Sequence, residues 1–278
     1  MTKEREKLKS LVTPAVAKNA IDMSAKFWFL TVVIGQAIFS YYILAVYYTA
    51  IAAQNTQDFN IVMPGGYVEG DVWGNIAVVA HVLFAAIITV GGLVQLIPAI
   101  RSKVPALHRW NGRLYILAAM TMSLSGAFMI LTRSDVIVGN IFGHTTLMIN
   151  GVIIIACAIM AVKRARQKQF VKHRVWALRL FIAVSGVWMF RIGMMAWITW
   201  HGRPVGIDTA TFTGPFLTVL YTLVYVFPLL FLEVYLRVQA RGSANQRLFT
   251  AVGVVLVSLI FAGGIFGATM GMWLPRIS

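Results

Sequence analysis

A chain of 278 residues that is 59% hydrophobic and only 12% charged, with a mean hydropathy of +0.78, has the composition of an integral membrane protein and excludes a soluble globular domain. Its formal charge of +15 sits in short segments between apolar runs, where anionic lipid headgroups account for it and a nucleic-acid partner does not.

Apolar runs of about 20 residues recur along the chain. They predict seven spans at roughly Phe27–Ile51, Asn75–Ile100, Trp110–Leu131, Ile141–Val162, Val175–Trp200, Gly214–Leu236 and Phe249–Trp273, joined in one all-α bundle over residues 27–278. Residues 1–26 form a polar segment with Lys3, Arg5, Lys7 and Lys9 and lack the pattern of a cleaved leader, so the first span is expected to act as its own anchor. With the N-terminus cytoplasmic, the tail and three loops on that side hold 19 Lys and Arg. The opposite side holds only Arg133, Arg203 and Arg276, together with the acids Asp58, Glu69, Asp71, Asp135 and Asp208. Short basic loops stay inside, which puts the C-terminus outside and, in a bacterium, the chain in the cytoplasmic membrane.

Along the chain, the loop "NIVMPGGYVEGD" (Asn60 to Asp71) is turn-rich and placed to cover the outer ends of the helices. The second span carries His81 near its start and Gln95 14 residues on, about 21 Å further along a helix. "HRWNGRLY" (His108 to Tyr115) opens the third span with His108, Arg109 and Arg113. His144 opens the fourth, which also holds the single cysteine, Cys157, read as a packing residue. "HRVWALR" (His173 to Arg179) opens the fifth, and Arg191 follows His173 by 18 residues, five turns and about 27 Å along one helical face. The remaining spans look architectural. Gly263, Gly267 and Gly271 let a helix approach closely, within the protein or in a homo-oligomer. Pro98, Pro215 and Pro228 mark ends or kinks, and Tyr41, Tyr42, Tyr47, Tyr48, Trp73 and Trp273 fit an interfacial aromatic belt.

Ionisable side chains inside a bilayer are costly, so those in the spans are the functional candidates. Alternating helix direction puts His81 and His144 toward the outer face and His108 and His173 toward the inner one. Four successive helices, spans two to five over residues 75–200, thus offer one histidine each, paired by level. That arrangement suits bis-histidine ligation of one or two b-type haems, with all four imidazoles as iron ligands. The alternatives are unrelated core histidines at the outer level and headgroup anchors working with Arg109 and Arg174 at the inner one. No acid in the first five spans obviously neutralises Arg191, so an anion from outside the chain is expected there: a haem propionate, or a carboxylate or enolate substrate. Arg113 and Arg179 are expected to do the same at the inner level, with Gln95 as a hydrogen-bonding neighbour. No phosphate-cradling glycine loop, nucleophile elbow or His-Glu-x-x-His pattern occurs.

On these residues, His81 with Gln95, "HRWNGRLY" and "HRVWALR", the stretch from His81 to Arg191 resembles a bacterial family of predicted multi-pass membrane proteins known only as a domain of unknown function. A looser, architectural likeness is to the two-haem transmembrane b-type cytochromes, which also place one haem-binding histidine on each of four successive helices. That likeness implies pairing of His81 with His144 and of His108 with His173. The expected function is a membrane electron-transfer protein or small oxidoreductase supplied by a quinol or another small anionic reductant. The alternative is a non-enzymatic transporter or a lipid-binding accessory subunit of a membrane complex.

Overall fold

The computed structural model describes residues 13–133 and 139–277. The basic residues Lys3, Arg5, Lys7 and Lys9 and the acid Asp135 lie outside the described residues. Within them the chain is helical, with a single isolated β-bridge between Asp208 and Thr213. Helix α1 (Pro14–Ile43) runs on through a π-helical turn, Leu44–Tyr48, to Ala52. It is followed by α2 (Val72–Leu96), α3 (Pro105–Thr132), α4 (Ile141–Arg166), α5 (Phe170–Val184), α6 (Gly186–His201), α7 (Pro215–Arg241) and α8 (Ala244–Ala268), which continues into a second π-helical turn, Thr269–Trp273. Six segments are long and apolar enough to cross a membrane, and α5 with α6 supplies a seventh when the bent pair is taken as one span.

The helix starts are written locally. Thr13 accepts from the Val16 amide with Pro14 behind it, Asp71 accepts from Gly74, Asn140 from Gly143, and Ser243 with Gln246 forms a reciprocal capping box. Each satisfies amide groups that have no partner inside the helix. Two expected boundaries change. The first helix begins at Pro14, well before Phe27, because its early turns are amphipathic: Ala17, Ile21 and Ser24 are buried while Lys18 and Lys26 face out. The fifth span is not one straight helix but breaks by 49° at Ser185. There the Ser185 hydroxyl donates to the Phe181 carbonyl (2.8 Å) and Gly186 lies flat against the ring of Tyr225, a Ser-Gly pair of the kind that kinks helices.

In the bundle α2 packs on α3, α3 on α4 and α4 on α5, while α1 lies between α2 and α8, α8 backs onto α6, and α7 leans across α4, α5 and α6. Gly91 and Gly92 do not interrupt α2. They admit the side chains of Asn111, Tyr115 and Phe181, and the Asn111 amide donates to the Gly91 carbonyl at 2.8 Å. The glycine stripe of α8 divides: Gly267 and Gly271 face Thr199 and Met195 of α6, and Gly263 opens onto empty space. The expected aromatic belt requires exposed rings, and Trp73 and Tyr41 are exposed. It fails for Tyr42 and Trp273, only 2% and 1% exposed, because these rings stack with Phe39 inside the bundle (Phe39 to Trp273, 5.3 Å between centroids).

Candidate intramembrane binding site

A cavity of about 350 Å³ lies among helices α1 to α6. Its wall is mainly apolar, with Phe39, Val82, Met129, Leu147 and Phe181, and is broken by Gln36, His81, Ser123, Asn150, Trp188 and Arg191. The kink at Ser185 organises its polar part. Gln36 of α1 donates through Nε2 to Ser185 Oγ at 3.0 Å, and Asn150 of α4 donates through Nδ2 to the carbonyl of Ala183 at 3.1 Å. Three residues past the kink comes Trp188 and six past it Arg191, both on the cavity wall.

The Arg191 guanidinium donates from Nη1 to the Val187 carbonyl of its own helix (3.3 Å) and lies 5.6 Å from the centroid of the Phe39 ring. Among the described residues the two ion pairs are Arg133 with Asp71 and Arg179 with Glu233, so Arg191 has no carboxylate partner there. It stands within electrostatic reach of His81 and Tyr47. His81 contacts Ser125 of α3 through Nδ1 at 3.1 Å, and the Ser125 hydroxyl also lies 3.3 Å from the Met122 carbonyl. In a neutral imidazole one ring nitrogen donates and the other accepts, so His81 can offer the cavity either sense. Buried atoms of the wall without a protein partner are Gln36 Oε1, Tyr115 Oη, Ser123 Oγ, Asn150 Oδ1 and Trp188 Nε1. Groups of this kind are costly to bury unmet. The cavity opens sideways: Leu124 of α3 and Val152 of α4 line it yet are 58% and 65% exposed, which makes the gap between these helices its mouth.

One end is closed by a staple that the sequence did not reveal. Arg133, 2% exposed at the end of α3, donates from Nε to Asp71 Oδ2 (2.6 Å), from Nη2 to Asn75 Oδ1 (2.7 Å) and from Nη1 to the carbonyls of Gly66 (3.1 Å) and Gly65 (3.3 Å). It pins the loop carrying Met63, which reaches the cavity wall. The amide of Gly74, and then Arg133, hold the Asp71 carboxyl below the usual carboxylate range. A carboxyl depressed in the folded state stabilises above its unfolded value and loses that contribution as pH falls through its folded value. The staple is therefore expected to hold at neutral pH and to open only in acid, below about pH 4. Hydrogen exchange of residues 60–71, corrected for intrinsic rates, should rise in acid for the wild type and already at pH 7 for Arg133→Met.

Of the residues expected from sequence, His81 and Arg191 meet in the cavity. His144 does not line it. Its buried Nε2 has no partner and lies near Gly139 and Tyr221, so the two outer-level imidazoles face different surroundings. His108 keeps a buried Nδ1 without a partner and stands within electrostatic reach of His173, whose Nδ1 donates to the Ala161 carbonyl at 2.9 Å. Gln95 donates to the backbone carbonyl of His108 at 2.9 Å and so fixes the start of α3 rather than an imidazole. Arg113 lies over the Trp110 ring at 4.6 Å. Arg179, over Trp176 at 4.4 Å, pairs with Glu233 of α7 at 2.7 Å, so its charge is met from within the chain and not by an outside anion. The face shared by His173 and Arg191 does not survive the 49° bend between them. Among the described residues no group of three or more His, Cys, Asp or Glu is placed to hold a metal ion.

No curated protein and no solved structure matches the chain. Residues 78–224, just over half of the sequence, match the family described as "Predicted membrane protein (DUF2306)", a stretch that runs from α2 into α7 and includes His81, His144 and Arg191. The chain belongs to this family of membrane proteins, a domain of unknown function.

Proposed function

We propose that the protein takes a lipid-soluble molecule with an electron-rich oxygen head from the bilayer and holds that head at Arg191. The observation that carries this reading is a guanidinium that, among the described residues, has no carboxylate partner, in the wall of a largely apolar cavity that opens sideways. Arginine cannot shed its proton to become neutral, and in a low-dielectric setting its charge is best met by a ligand oxygen. The basic loops favour a cytoplasmic N-terminus and, in a bacterium, the cytoplasmic membrane, with Arg191 in the outer half of the bilayer. A transporter or an accessory subunit of a membrane complex would use the same cavity. Native mass spectrometry of the purified full chain tests the reading: the wild type should carry a small lipid-soluble mass that Arg191→Leu loses and Arg191→Lys partly keeps, with helix content unchanged in both. The same mass retained by Arg191→Leu would overturn it.

A second reading, electron transfer through b-type haem, is favoured by the ring nitrogens. His81 has one ring nitrogen on Ser125, His108 Nδ1 and His144 Nε2 are buried and unpartnered, and His173 donates one nitrogen to a carbonyl as metal-bound imidazoles commonly do. His81 with His144, and His108 with His173, would be the ligand pairs, Arg191 would take a propionate, and the haem when bound would supply one-electron chemistry. His81 fits an axial role. His144, which does not line the cavity, would have to reorient first. Protein expressed with ample haem should show a sharp absorption on dithionite reduction that His81→Ala abolishes; a colourless preparation rejects this reading and leaves the first untouched.

A further inference from the structure

We infer that the molecule held in the cavity is a hydroquinone, bound in preference to its quinone form and to carboxylate lipids, and admitted through the gap between α3 and α4. The inference rests on reading the cavity as a binding site headed by Arg191, and it concerns binding alone.

The hydrogen-bond sense of the wall selects this class. The Ser185 hydroxyl donates to the Phe181 carbonyl, so toward Gln36 it acts as an acceptor, and Gln36 must present its NH₂ there. Asn150 must likewise turn its NH₂ to the carbonyl of Ala183. Both amide orientations are fixed by these partners, which leaves Gln36 Oε1 and Asn150 Oδ1 as buried acceptors without donors. Against these stand the donors Trp188 Nε1 and the Arg191 guanidinium, while the unpartnered hydroxyls of Tyr115 and Ser123 can donate or accept. A carboxylate or phosphate only accepts: it would suit Arg191 and Trp188 but leave the two amide acceptors unmet. A quinone also only accepts. A hydroquinone has two hydroxyls on opposite sides of a flat ring, each able to donate and to accept, and so meets both kinds of group. Phe39, Phe181 and Trp188 supply flat apolar surface for the ring.

The mouth fits a tailed molecule. At Gly151 the nearest neighbours of an added Cβ are Ser123 atoms at 4.0 Å, so between these helices there is space that a larger side chain would fill. Leu124 and Val152 flank that space with apolar surface along which an alkyl or isoprenoid tail can leave.

The test uses the full chain in nanodiscs of neutral phospholipid, with calorimetric titration against empty nanodiscs. The probes are a decyl-tailed hydroquinone, its quinone and decanoate. The expected result is saturable binding of the hydroquinone, about tenfold or more tighter than the quinone because at least one buried acceptor is otherwise left unmet, with decanoate weaker still. Asn150→Leu should remove most of the preference for the reduced form. Gln36→Leu should do the same and Gln36→Glu restore it, a rescue that a merely structural role for Gln36 does not predict. Gly151→Leu should slow or abolish uptake while leaving the thermal midpoint close to wild type. Equal affinity for quinone and hydroquinone, or a preference for decanoate, overturns the hydroquinone assignment; if Arg191→Leu still abolishes that binding, the cavity reading stands without it. Binding of none of the three by a preparation that also carries no lipid-soluble mass overturns both.

Discussion

Gly264→Ala is expected to destabilise the protein while the same substitution at the preceding residue, Gly263→Ala, leaves it unharmed or more stable. A Cβ at Gly264 would run into the backbone carbonyl of Ile192 on α6, and a backbone group fixed in a helix has no rotamer to escape into. Relief requires α8 and α6 to separate along the contact that Gly267 and Thr199 continue. Overpacking of this kind costs about 1–3 kcal/mol. A Cβ at Gly263 meets nothing within 4 Å, so the change there gains helix propensity of up to about 1 kcal/mol with no steric cost. Thermal unfolding of the two variants in one detergent should give midpoints on opposite sides of wild type or, at the least, a clear drop for Gly264→Ala alone. Equal midpoints would mean that α6 and α8 are not held at the distance described. The pair also touches function, because α6 carries Trp188 and Arg191: loosening it should weaken ligand retention as well as stability.

Hydropathy made the spans legible because a bilayer demands long apolar helices. What it hides is azimuth. These helices are apolar on most sides, so a one-dimensional pattern does not say which neighbour a side chain faces, and His144 does not line the cavity that His81 lines. The bend at Ser185 was hidden for a related reason: Ser185 and Gly186 sit inside an unbroken apolar run, and their effect depends on Tyr225 of α7 seating against Gly186. Both ion pairs join residues far apart in sequence, 62 positions for Arg133 with Asp71 and 54 for Arg179 with Glu233, beyond any local pattern. Gln36 and Asn150 did leave a signal, each a polar residue deep in a predicted span. Attention to ionisable groups passed over them, although uncharged amides are what shape the polar part of the cavity.

Glu233→Leu is expected to harm the protein more than Arg179→Leu, although each removes the same ion pair. The two side chains lie within spanning helices and are 31% and 26% exposed in the pair. A carboxyl that loses its cation can take up a proton and become neutral, whereas a guanidinium cannot give one up. Glu233→Leu therefore strands a permanent charge, eased only by the Trp176 ring at 4.4 Å. Stranding a buried charge costs about 3–5 kcal/mol, and partial exposure brings the expected loss to about 2–3 kcal/mol. Arg179→Leu should cost less than Glu233→Leu in acid, where the lone carboxyl is protonated in folded and unfolded chains alike, and the gap should narrow as pH rises above the ordinary carboxylate range, because keeping the carboxyl neutral then costs free energy too. The double variant, with leucine at both positions, should recover most of the loss, since replacing a buried pair by apolar groups of similar size is often neutral. Thermal midpoints of the three variants against pH decide it, and a double variant no better than Glu233→Leu would show that the carboxylate serves something other than Arg179. The same reasoning separates the two intramembrane arginines. Arg179 has its counter-charge built into α7, while Arg191 has no such acid among the described residues, which is the ground for the proposal that a ligand oxygen meets its charge.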